Sequence, residues 1–427
     1  MSQVNAIVSS HLCSGCGTCY VVCGKEAIIM QYDAIGRLLP VIDAERCVDC
    51  GACYNICPSL DAKGIQLPKT DDIYGGRVEN VYVGKATDEV VYRNEQSGGL
   101  VTSTLKYLFD SGQIDAAIVC HVQDAIQYTP RAIVVTRPED LLSCQKSSYV
   151  PIDIVSAIKQ TEPYKSVAVV GTGCHIQGIR ALQNDKEAYR NRIKFALGLI
   201  CDRTLCKTVT DVLYGRVYKN SRKKIIWRDK TNDYKGAQVL IQTEDGRRKT
   251  LPRWHRLVLK DAFTNPRCRI CFDKLNTGAD VVFGDPWGMT GIDWENGMSV
   301  AITRTEEGTR IVNEMMSHQL VELKEARWEE VVSGQKIEKK KREVSSALAH
   351  YQNKGWLLPS YAAQLRPSEE NPKISRMIDG FVGNLPLEKA ALIRKGRVLL
   401  YKNGIKRMIK TIFRYLCRVI IKKNGVR

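Results

Sequence analysis

Short apolar runs separated by turns dominate the chain from residue 81 to about residue 200. Five of these runs are rich in β-branched residues and predict strands, at VYVGKA (81–86), AAIVC (116–120), AIVV (132–135), VAVV (167–170) and FALGLI (195–200). Segments with apolar residues at helical spacing lie between them, at 97–112, 153–160 and 176–184. Such alternation indicates an α/β domain with a largely parallel sheet.

The pattern changes in the second half of the chain. Residues 220–300 favour strands, with apolar runs in IIWR, AQVLIQT, DVVFG and MSVAIT. Residues 304–358 are polar and mostly helical in pattern, and residues 359–387 predict a linker or a loosely ordered arm. Gly, Asp and Pro are frequent in residues 61–80, which we interpret as a linker.

The formal net charge of +18 is unevenly distributed. Residues 1–65 carry four basic and six acidic side chains, whereas residues 388–427 carry thirteen basic and one acidic side chain. The positive charge is therefore mainly a property of the tail, and we expect no nucleic-acid partner.

The tail predicts a basic amphipathic helix over residues 404–423. Its apolar residues recur at helical spacing, and its basic residues lie largely on the opposite side. The apolar set is Ile405, Met408, Ile409, Ile412, Leu416 and Ile420, and the basic set is Lys406, Arg407, Lys410, Arg414 and Arg418. Such a helix suits an anionic membrane surface, and the alternative is docking on the protein's own core or on an acidic partner.

Cysteine is concentrated in two runs, CSGCGTCYVVC (13–23) and CVDCGACYNIC (47–57), which repeat at an offset of 34 residues. The spacing C-x2-C-x2-C-x3-C is that of bacterial ferredoxins with two 4Fe–4S clusters, in which the fourth cysteine of each run binds the other cluster. The alternatives are a pair of zinc knuckles or structural thiols. The predicted ligands are Cys13, Cys16, Cys19 and Cys57 for one cluster, and Cys47, Cys50, Cys53 and Cys23 for the other.

Four further cysteines form a second set: Cys174, Cys201, Cys268 and Cys271. Cys174 and Cys201 each follow a predicted strand, so both should emerge at one edge of a parallel sheet, where α/β proteins usually bind ligands. This set could hold a third 4Fe–4S cluster, with inert buried thiols or a zinc site as alternatives. Cys206, five residues after Cys201, is the competing candidate ligand.

Three turns are candidates for chemistry. NEQSGG (94–99) opens a predicted helix and suits an anion, with an ordinary N-cap by Ser97 as the alternative. VAVVGTGCHIQG (167–178) is a strand, a glycine turn and a helix that could hold a phosphate or flavin edge, or be a tight loop. VVFGDPWGM (281–289) ends in Trp287, which is either exposed or in the core.

The predicted location is the cytoplasm. No apolar stretch approaches the roughly 20 residues of a membrane span, and the N-terminus MSQVNAIVSSHLC lacks the pattern of a secretory signal. Sixteen cysteines in a reducing compartment indicate metal or redox chemistry. The tail adds the expectation of a peripheral position at the inner membrane face.

Several segments together resemble the beta-subunit family of coenzyme F420-reducing hydrogenases and dehydrogenases. They are QSGGLVTSTLKYLFDSGQIDAAIV, VVGTGCHIQGIRAL, GLICD, WRDKTNDY and NPRCRICFDKLNTGADVVFGDPWG. The resemblance covers about 81–330 in two consecutive domains, behind a ferredoxin domain that is a frequent fusion. The family turn commonly reads G-T-P-C, and Gly173 replaces its proline here, which predicts a looser turn.

The resemblance implies FAD beside a 4Fe–4S cluster, held by the four cysteines of the second set, and electron exchange with a deazaflavin or another small-molecule acceptor. It points to flavin-site residues at Ser97, Gly98, Gly99, Gly171, Thr172 and Gln177. Lys146, Ser147 and Tyr149 are further candidates, because KSSYV (146–150) resembles a family stretch.

The sequence thus predicts an α+β ferredoxin-like domain with two 4Fe–4S clusters, followed by a mixed α/β flavin-binding domain. The predicted segments are 1–65 (ferredoxin domain), 66–80 (linker), 81–160 and 161–330 (the two family domains), 331–387 (helices and arm) and 388–427 (tail). The predicted function is an iron–sulfur flavoprotein oxidoreductase. The alternatives are an electron-transfer subunit that feeds a redox partner protein, and an assembly protein without flavin. His175 is the candidate acid or base.

Overall fold

The computed structural model describes residues 3–62, 73–122, 129–215, 222–230, 238–382 and 388–423. The N-terminal elements are α1 (Gln3–Ser9), α2 (Thr18–Val22), β1 (Ile28–Tyr32), β2 (Leu38–Ile42) and α3 (Ala52–Asn55). Helices α2 and α3 start at equivalent points of the two cysteine runs, each after a glycine in the left-handed region, Gly17 (φ 93°) and Gly51 (φ 75°). The repeat in the sequence is therefore also a repeat in backbone conformation, and β1 and β2 pair antiparallel between its halves.

The elements that follow form the body of the protein. Up to residue 251 they are β3 (Asn80–Ala86), α4 (Glu89–Asn94), α5 (Leu100–Asp110), β4 (Ala116–His121), β5 (Arg131–Val135), β6 (Val167–Thr172), α6 (Gly173–Asp185), α7 (Glu187–Arg192), β7 (Ile193–Leu199), α8 (Val209–Tyr214), β8 (Arg222–Asp229), β9 (Gln238–Thr243) and β10 (Arg248–Leu251). Beyond it they are α9 (Arg253–Phe263), α10 (Pro266–Arg269), β11 (Val281–Gly284), β12 (Ser299–Thr303), α11 (Glu306–Ser317), β13 (Val321–Glu325), α12 (Trp328–Gly334), α13 (Ile337–Asn353), α14 (Pro372–Val382) and α15 (Lys389–Lys423). Three 3-10 helices span Pro138–Cys144, Ile154–Thr161 and Ala362–Leu365, the second replacing the helix predicted at 153–160.

An eight-stranded sheet organises this body, in the order β13-β3-β12-β11-β7-β6-β4-β5. Its four central strands β11, β7, β6 and β4 run parallel, whereas the outer strands pair antiparallel. The sheet is therefore mixed, and the largely parallel sheet expected from the alternation holds only at its centre. Strands β8, β9 and β10 form a separate antiparallel sheet.

The sheet crosses the predicted boundary between residues 160 and 161. Strands β3, β4 and β5 come from the first predicted family domain and lie in the same sheet as β6, β7, β11 and β12 from the second. The two segments therefore share one sheet, and the four parallel strands present their carboxyl ends at a common edge.

Two segments predicted as linker and arm are packed instead. Ile73 and Tyr74 are buried, and the buried Arg304 donates a hydrogen bond to the carbonyl of Gly75 at 2.8 Å. In the predicted arm, Tyr361 and Phe381 are buried as well. Residues 63–72 of the predicted linker region lie outside the described residues.

The ferredoxin-like unit packs directly on the α/β body. The Val155 amide donates to the Cys16 carbonyl at 3.1 Å, and the Lys207 amide donates to that of Gly36 at 2.8 Å. The Tyr32 hydroxyl donates to the Pro151 carbonyl at 2.6 Å. These contacts fix the first cysteine run against the 3-10 helix Ile154–Thr161 and α6.

The tail forms the predicted helix as part of α15. Its first half packs on the body, with Leu392 buried and Gly396 against Phe263 and Val212. Further along, a solvent-exposed apolar face consists of Met408, Ile409, Ile412 and Phe413. Within the described residues, none of the helices has the length and apolar character needed to cross a membrane.

Candidate functional site

The structure brings Cys13, Cys16, Cys19 and Cys57 together in the ferredoxin-like unit. Burial, with a smaller contribution from the nearby Cys16, raises the pKa of Cys57 to about 12. Burial also raises the pKa of Cys13 and of Cys19, and the other thiols of the set add to each shift. These four sulfurs could all be thiolates in this buried place only with a cationic centre between them, because burial and mutual repulsion favour the neutral thiols.

The other predicted ligands line a common cavity of about 280 Å³, which contains Cys23, Cys47, Cys50 and Cys53. Burial raises the pKa of Cys53, and Cys50 and Cys23 also raise it. The Ala27 amide donates to the Cys23 sulfur at 3.3 Å, a contact that favours a thiolate. The cavity is open to solvent at Cys50, which is exposed.

The third set gathers at the carboxyl edge of the parallel strands. Cys174 lies in the first turn of α6, just after β6, and Cys201 lies two residues after β7. Burial is the main cause that raises the pKa of Cys174 to about 12, and Cys16 of the first set, Cys271 and Cys268 contribute to the same shift. Burial likewise raises the pKa of Cys201 far above its usual value, and Cys268, Cys174 and Cys271 add to it.

Hydrogen bonds and burial distinguish the third cysteine set from Cys206, the competing candidate ligand. The Thr204 amide donates to the Cys268 sulfur at 3.4 Å, and the Thr172 hydroxyl lies 3.4 Å from the Cys174 sulfur. Cys206 is fully buried in the apolar core and packs with aliphatic and aromatic side chains. It therefore has the surroundings of a structural thiol.

The cysteine geometry differs from that of a mononuclear zinc site. Among the described side chains, no three His, Cys, Asp or Glu residues converge as ligands of one metal ion would. Zinc holds sulfur ligands at about 2.3 Å, which requires such convergence. The four cysteines of the second set line one cavity of about 280 Å³. Four sulfur donors around such a cavity fit a 4Fe–4S cluster.

The first and third sets are neighbours. Cys16 contributes to the raised pKa of Cys174 more than any other single charge. Helix α2 packs closely on α6, since a β-carbon added to Gly178 would lie 2.1 Å from the Thr18 hydroxyl. The ferredoxin-like unit thus presents its first cysteine set to the one at the sheet edge.

A polar centre lies at the next strand end, after β11. The Ser97 hydroxyl donates to the Asp285 carboxylate, which also pairs with the buried Arg228. The Gln335 amide donates to the Asp285 carbonyl at 2.7 Å. Helix α5 is capped by Gly99 and begins at Leu100, so Ser97 is not its N-cap. Ser97 instead faces the strand end, as a binding role would require.

Positive charge is concentrated around this centre. Lys230 donates to the Ser97 carbonyl at 2.8 Å, and burial followed by repulsion from Lys146 lowers the pKa of Lys230 to about 8. Burial also lowers the pKa of Lys146 and of Arg256. The buried Nε of Arg256 has no hydrogen-bond partner among the described residues. Desolvated cations with an unsatisfied donor fit an anionic group such as a pyrophosphate.

Aromatic rings border the same centre. Tyr149 lies 5.3 Å from the Trp227 ring and stacks under Arg256 at 5.2 Å. Trp287 is half-buried, contacts Arg228 at 5.2 Å and stacks on Trp294 at 5.6 Å. Trp287 is therefore part of this centre.

The nine predicted flavin-site residues divide between two places. Most lie near the Asp285 centre: Ser97, Gly98, Gly99, Lys146, Ser147 and Tyr149. Gly98 approaches Ser299, whose hydroxyl accepts its amide hydrogen bond at 2.8 Å, and Ser147 is half-buried beside Lys146. The others lie at the third cysteine set, where the Asn276 amide donates to the Gly171 carbonyl and buried Gln177 donates to the Asp273 carboxylate at 2.6 Å.

Thr172 and His175 cap α6. The Thr172 amide donates to His175 Nδ1 at 3.2 Å, and His175 Nε2 donates to the Ile152 carbonyl at 2.8 Å. Burial lowers the pKa of His175 to about 4, so the imidazole is neutral at pH 7. Both ring nitrogens are occupied by backbone groups, an arrangement that opposes an acid–base role. The capping box also means that Gly173 does not loosen the turn as expected.

Sequence reasoning missed three residues of the Asp285 centre, Arg228, Lys230 and Arg256, whereas Asp285 lies in the candidate turn 281–289. Arg228 and Lys230 lie at the end of β8 and just after it, in the WRDK stretch, and Arg256 lies on α9. The signal was a group of basic residues beside tryptophans in WRDK and PRWHR, within a region predicted only as strands.

The fold and the cysteine sets define a redox protein built on a mixed α/β sheet, and comparisons with known proteins identify its family. Residues 81–159 match the family model of the coenzyme F420 hydrogenase/dehydrogenase beta subunit N-terminus. Residues 164–328 match that of the same subunit's C terminus, and residues 12–60 match a 4Fe–4S dicluster domain. The chain belongs to the coenzyme F420 hydrogenase/dehydrogenase beta-subunit family and carries a 4Fe–4S dicluster domain.

Two curated relatives differ in how much of their length is matched. The coenzyme F420-dependent sulfite reductase of Methanocaldococcus jannaschii is 30% identical over 76% of this chain, but the match spans only 48% of that protein. The coenzyme F420 hydrogenase subunit beta of Methanosarcina barkeri is 24% identical over 67% of this chain and 97% of its own length.

A solved structure supports the fold. A chain of the F420-reducing [NiFe] hydrogenase complex from Methanosarcina barkeri superposes with a TM-score of 0.52 and 22% identity, over 65% of this chain and 93% of that one. This likeness shows that the two chains share a fold.

Proposed function

We propose that this chain is an iron–sulfur flavoprotein that passes electrons between three 4Fe–4S clusters and FAD. The observation that carries the proposal is the close packing of α2, in the first cysteine run, on α6, whose first turn holds Cys174: a β-carbon added to Gly178 would lie 2.1 Å from the Thr18 hydroxyl. It supports a continuous route from the ferredoxin-like unit to the sheet edge.

Each proposed cluster has four thiolates. The predicted pairing of the two runs holds the first two clusters: Cys13, Cys16, Cys19 and Cys57, then Cys23, Cys47, Cys50 and Cys53. The third cluster is held by Cys174, Cys201, Cys268 and Cys271. Amide and hydroxyl donors at Cys23, Cys174 and Cys268 stabilise thiolate charge and tune the cluster potentials.

FAD would bind at the Asp285 centre, next to the third cluster. Bound there, it supplies the conversion between one-electron and two-electron transfer. Lys146, Lys230 and Arg256 would hold its pyrophosphate, because their ammonium and guanidinium groups are desolvated and lie around one polar centre. Asp285 fixes Ser97 and Arg228 in position, and the rings of Tyr149 and Trp287 exclude water.

The proposed substrate is a deazaflavin such as coenzyme F420, or another small two-electron acceptor or donor. The names of the relatives favour a deazaflavin, since both contain F420. The second candidate is an electron-transfer subunit for a partner enzyme, favoured by the relative that is a hydrogenase subunit and by the exposed Cys50 at the second cluster site. Reduction of a soluble acceptor by the purified chain alone would distinguish the enzyme from the subunit.

Cofactor counts after anaerobic purification test the proposal. We expect about twelve irons, four for each cluster, and about one FAD per chain. The Cys268→Ser, Cys271→Ser double variant should lose about four irons and keep the ferredoxin signals. Cys206→Ser is the matched control and should keep all of them. About eight irons in the fully reconstituted wild type would refute the third cluster, and the absence of FAD after reconstitution would refute the flavoprotein.

We also propose that the outer half of α15 lies on an anionic membrane surface. Met408, Ile409, Ile412 and Phe413 are exposed although they are large and apolar, and Lys406, Arg407 and Lys410 are exposed between them. An apolar face with neighbouring cations is the pattern of interfacial helices. The cytoplasmic location stays a prediction of the sequence.

A further inference from the structure

A second concave site lies on the side of the third cysteine set that faces α9, α13 and α14. It is a cavity of about 560 Å³, which we name the basic pocket, and Cys268 is among its lining residues. Seven of its fourteen lining side chains are Lys or Arg, and two are carboxylates, Asp261 and Glu343. The lining thus carries five more positive than negative charges, a large excess for one cavity.

The inner cations have partners within the protein. Lys340 is buried and donates to the Cys268 carbonyl at 2.8 Å. Arg269 donates to the Asp261 carbonyl at 2.7 Å, and Arg203 pairs with Asp202 at 2.9 Å. These groups position the Cys268 loop and offset the negative charge that four thiolates bring to this place.

The outer cations are not accounted for in this way. Arg342 on α13 and Lys373 on α14 are exposed, line the same cavity and come from two different helices. Cations that face one cavity from two helices add up to a positive potential there, which attracts an anion. A wall of Leu257, Ile374 and Met377 adds apolar surface, so the site is not a purely ionic depression.

We propose that the basic pocket binds a small organic anion with at least two phosphate or carboxylate groups. Its volume suits a small molecule, its charged rim suits two separate anionic groups, and its apolar wall suits an organic body. FAD is proposed to bind at the Asp285 centre, so the ligand of the basic pocket is additional to FAD.

Because Cys268 lines the basic pocket, anion binding there should affect the third cluster. An anion in the basic pocket places negative charge beside this cysteine, which lowers the reduction potential of a cluster that it holds. This coupling rests on the proposed third cluster, whereas the binding does not.

Calorimetry on the anaerobic holoprotein at low ionic strength tests the binding, with pyrophosphate and citrate as separate probes. We expect saturable binding of at least one probe at one site per chain. The rim variant Arg342→Gln, Lys373→Gln should weaken it at least tenfold. The control Arg376→Gln, Lys402→Gln removes the same charge from exposed residues outside the pocket lining and should bind as wild type does.

The outcomes separate the proposals. A response to pyrophosphate alone or to citrate alone identifies phosphate or carboxylate as the recognised group. Absence of saturable binding, or equal weakening in the rim and control variants, overturns the basic pocket as an anion site. A redox titration provides the second readout: the potential of the third cluster should fall with saturating probe in wild type and not in the rim variant. If only eight irons are present, the calorimetric result still decides the binding.

Discussion

Replacing Gly173 with alanine should weaken the third cysteine set through a steric clash. A β-carbon at Gly173 would lie 2.5 Å from the Asp273 carboxylate and 2.6 Å from its carbonyl oxygen. Asp273 is buried and accepts hydrogen bonds from the Gln177 side chain and the Thr277 amide, each at 2.6 Å. It therefore cannot move without breaking contacts that hold the loop after Cys271.

Gly173→Ala should change two quantities, the free energy of unfolding through overpacking and the affinity for iron through the loop that holds Cys271. Overpacking of this kind costs about 1–3 kcal/mol. The entropy of unfolding is about 2.1 cal/mol/K per residue. Over 427 residues, the overpacking cost therefore corresponds to a fall in Tm of only about 1–3 °C. Loss of groups that orient metal ligands typically costs about 10–100-fold in metal affinity. Iron release is therefore the more sensitive measurement.

The assay is iron release to a chelator under anaerobic conditions, with the electron paramagnetic signals of the clusters followed in parallel. Gly404→Ala is the matched control, because Gly404 lies within α15 and a β-carbon there meets only the Trp254 ring, at an ordinary contact distance of 3.8 Å. We expect Gly173→Ala to release about four irons at least tenfold faster than the control, while the ferredoxin signals persist. Equal release from both variants would show that Asp273 tolerates the methyl group and that this contact does not support the cluster.

Two further predictions concern pH and the tail. The folded pKa of His175, about 4, lies below its usual 6.5, so the unfolded chain binds more protons. This stabilisation is complete above pH 6.5 and falls by about 3 kcal/mol in total towards pH 4. His175→Asn should therefore make Tm depend less on pH between pH 7.5 and 5.5 than in the control His318→Gln, which changes an exposed histidine. An unchanged pH dependence of Tm would contradict the lowered pKa of His175. The double variant Ile409→Asp, Ile412→Asp should reduce co-sedimentation with anionic liposomes at least tenfold, while the first half of α15 stays packed through the buried Leu392. Equal liposome binding by the variant and the wild type would exclude the membrane role.

The parts of the site that could be predicted depend on short spacings. The ferredoxin ligands follow from a repeat whose members lie two or three residues apart, so the loop geometry is encoded locally. Cys174 and Cys201 could be placed together because each follows a strand of the parallel centre of one sheet.

The other parts depend on contacts between distant segments. The family resemblance assigns Gln177 to the flavin site, but its partner Asp273 lies 96 residues away and draws it to the cysteine set. Arg228 and Ser97 meet through Asp285, across separations of 57 and 188 residues. No local pattern carries such information, because each segment alone is equally compatible with a surface loop.

The linker shows how this limitation affects mechanism. A composition rich in Gly, Asp and Pro predicted a tethered ferredoxin domain, yet Ile73 and Tyr74 are buried and the Cys16 carbonyl accepts a hydrogen bond from the body. A tethered domain would exchange electrons by repeated encounters, whereas a docked one holds its first cysteine set at a fixed distance from the third. Gly178 is the residue that permits this approach, since any side chain there would collide with Thr18. The proposed electron route therefore depends on the close approach of α2 and α6 that Gly178 allows.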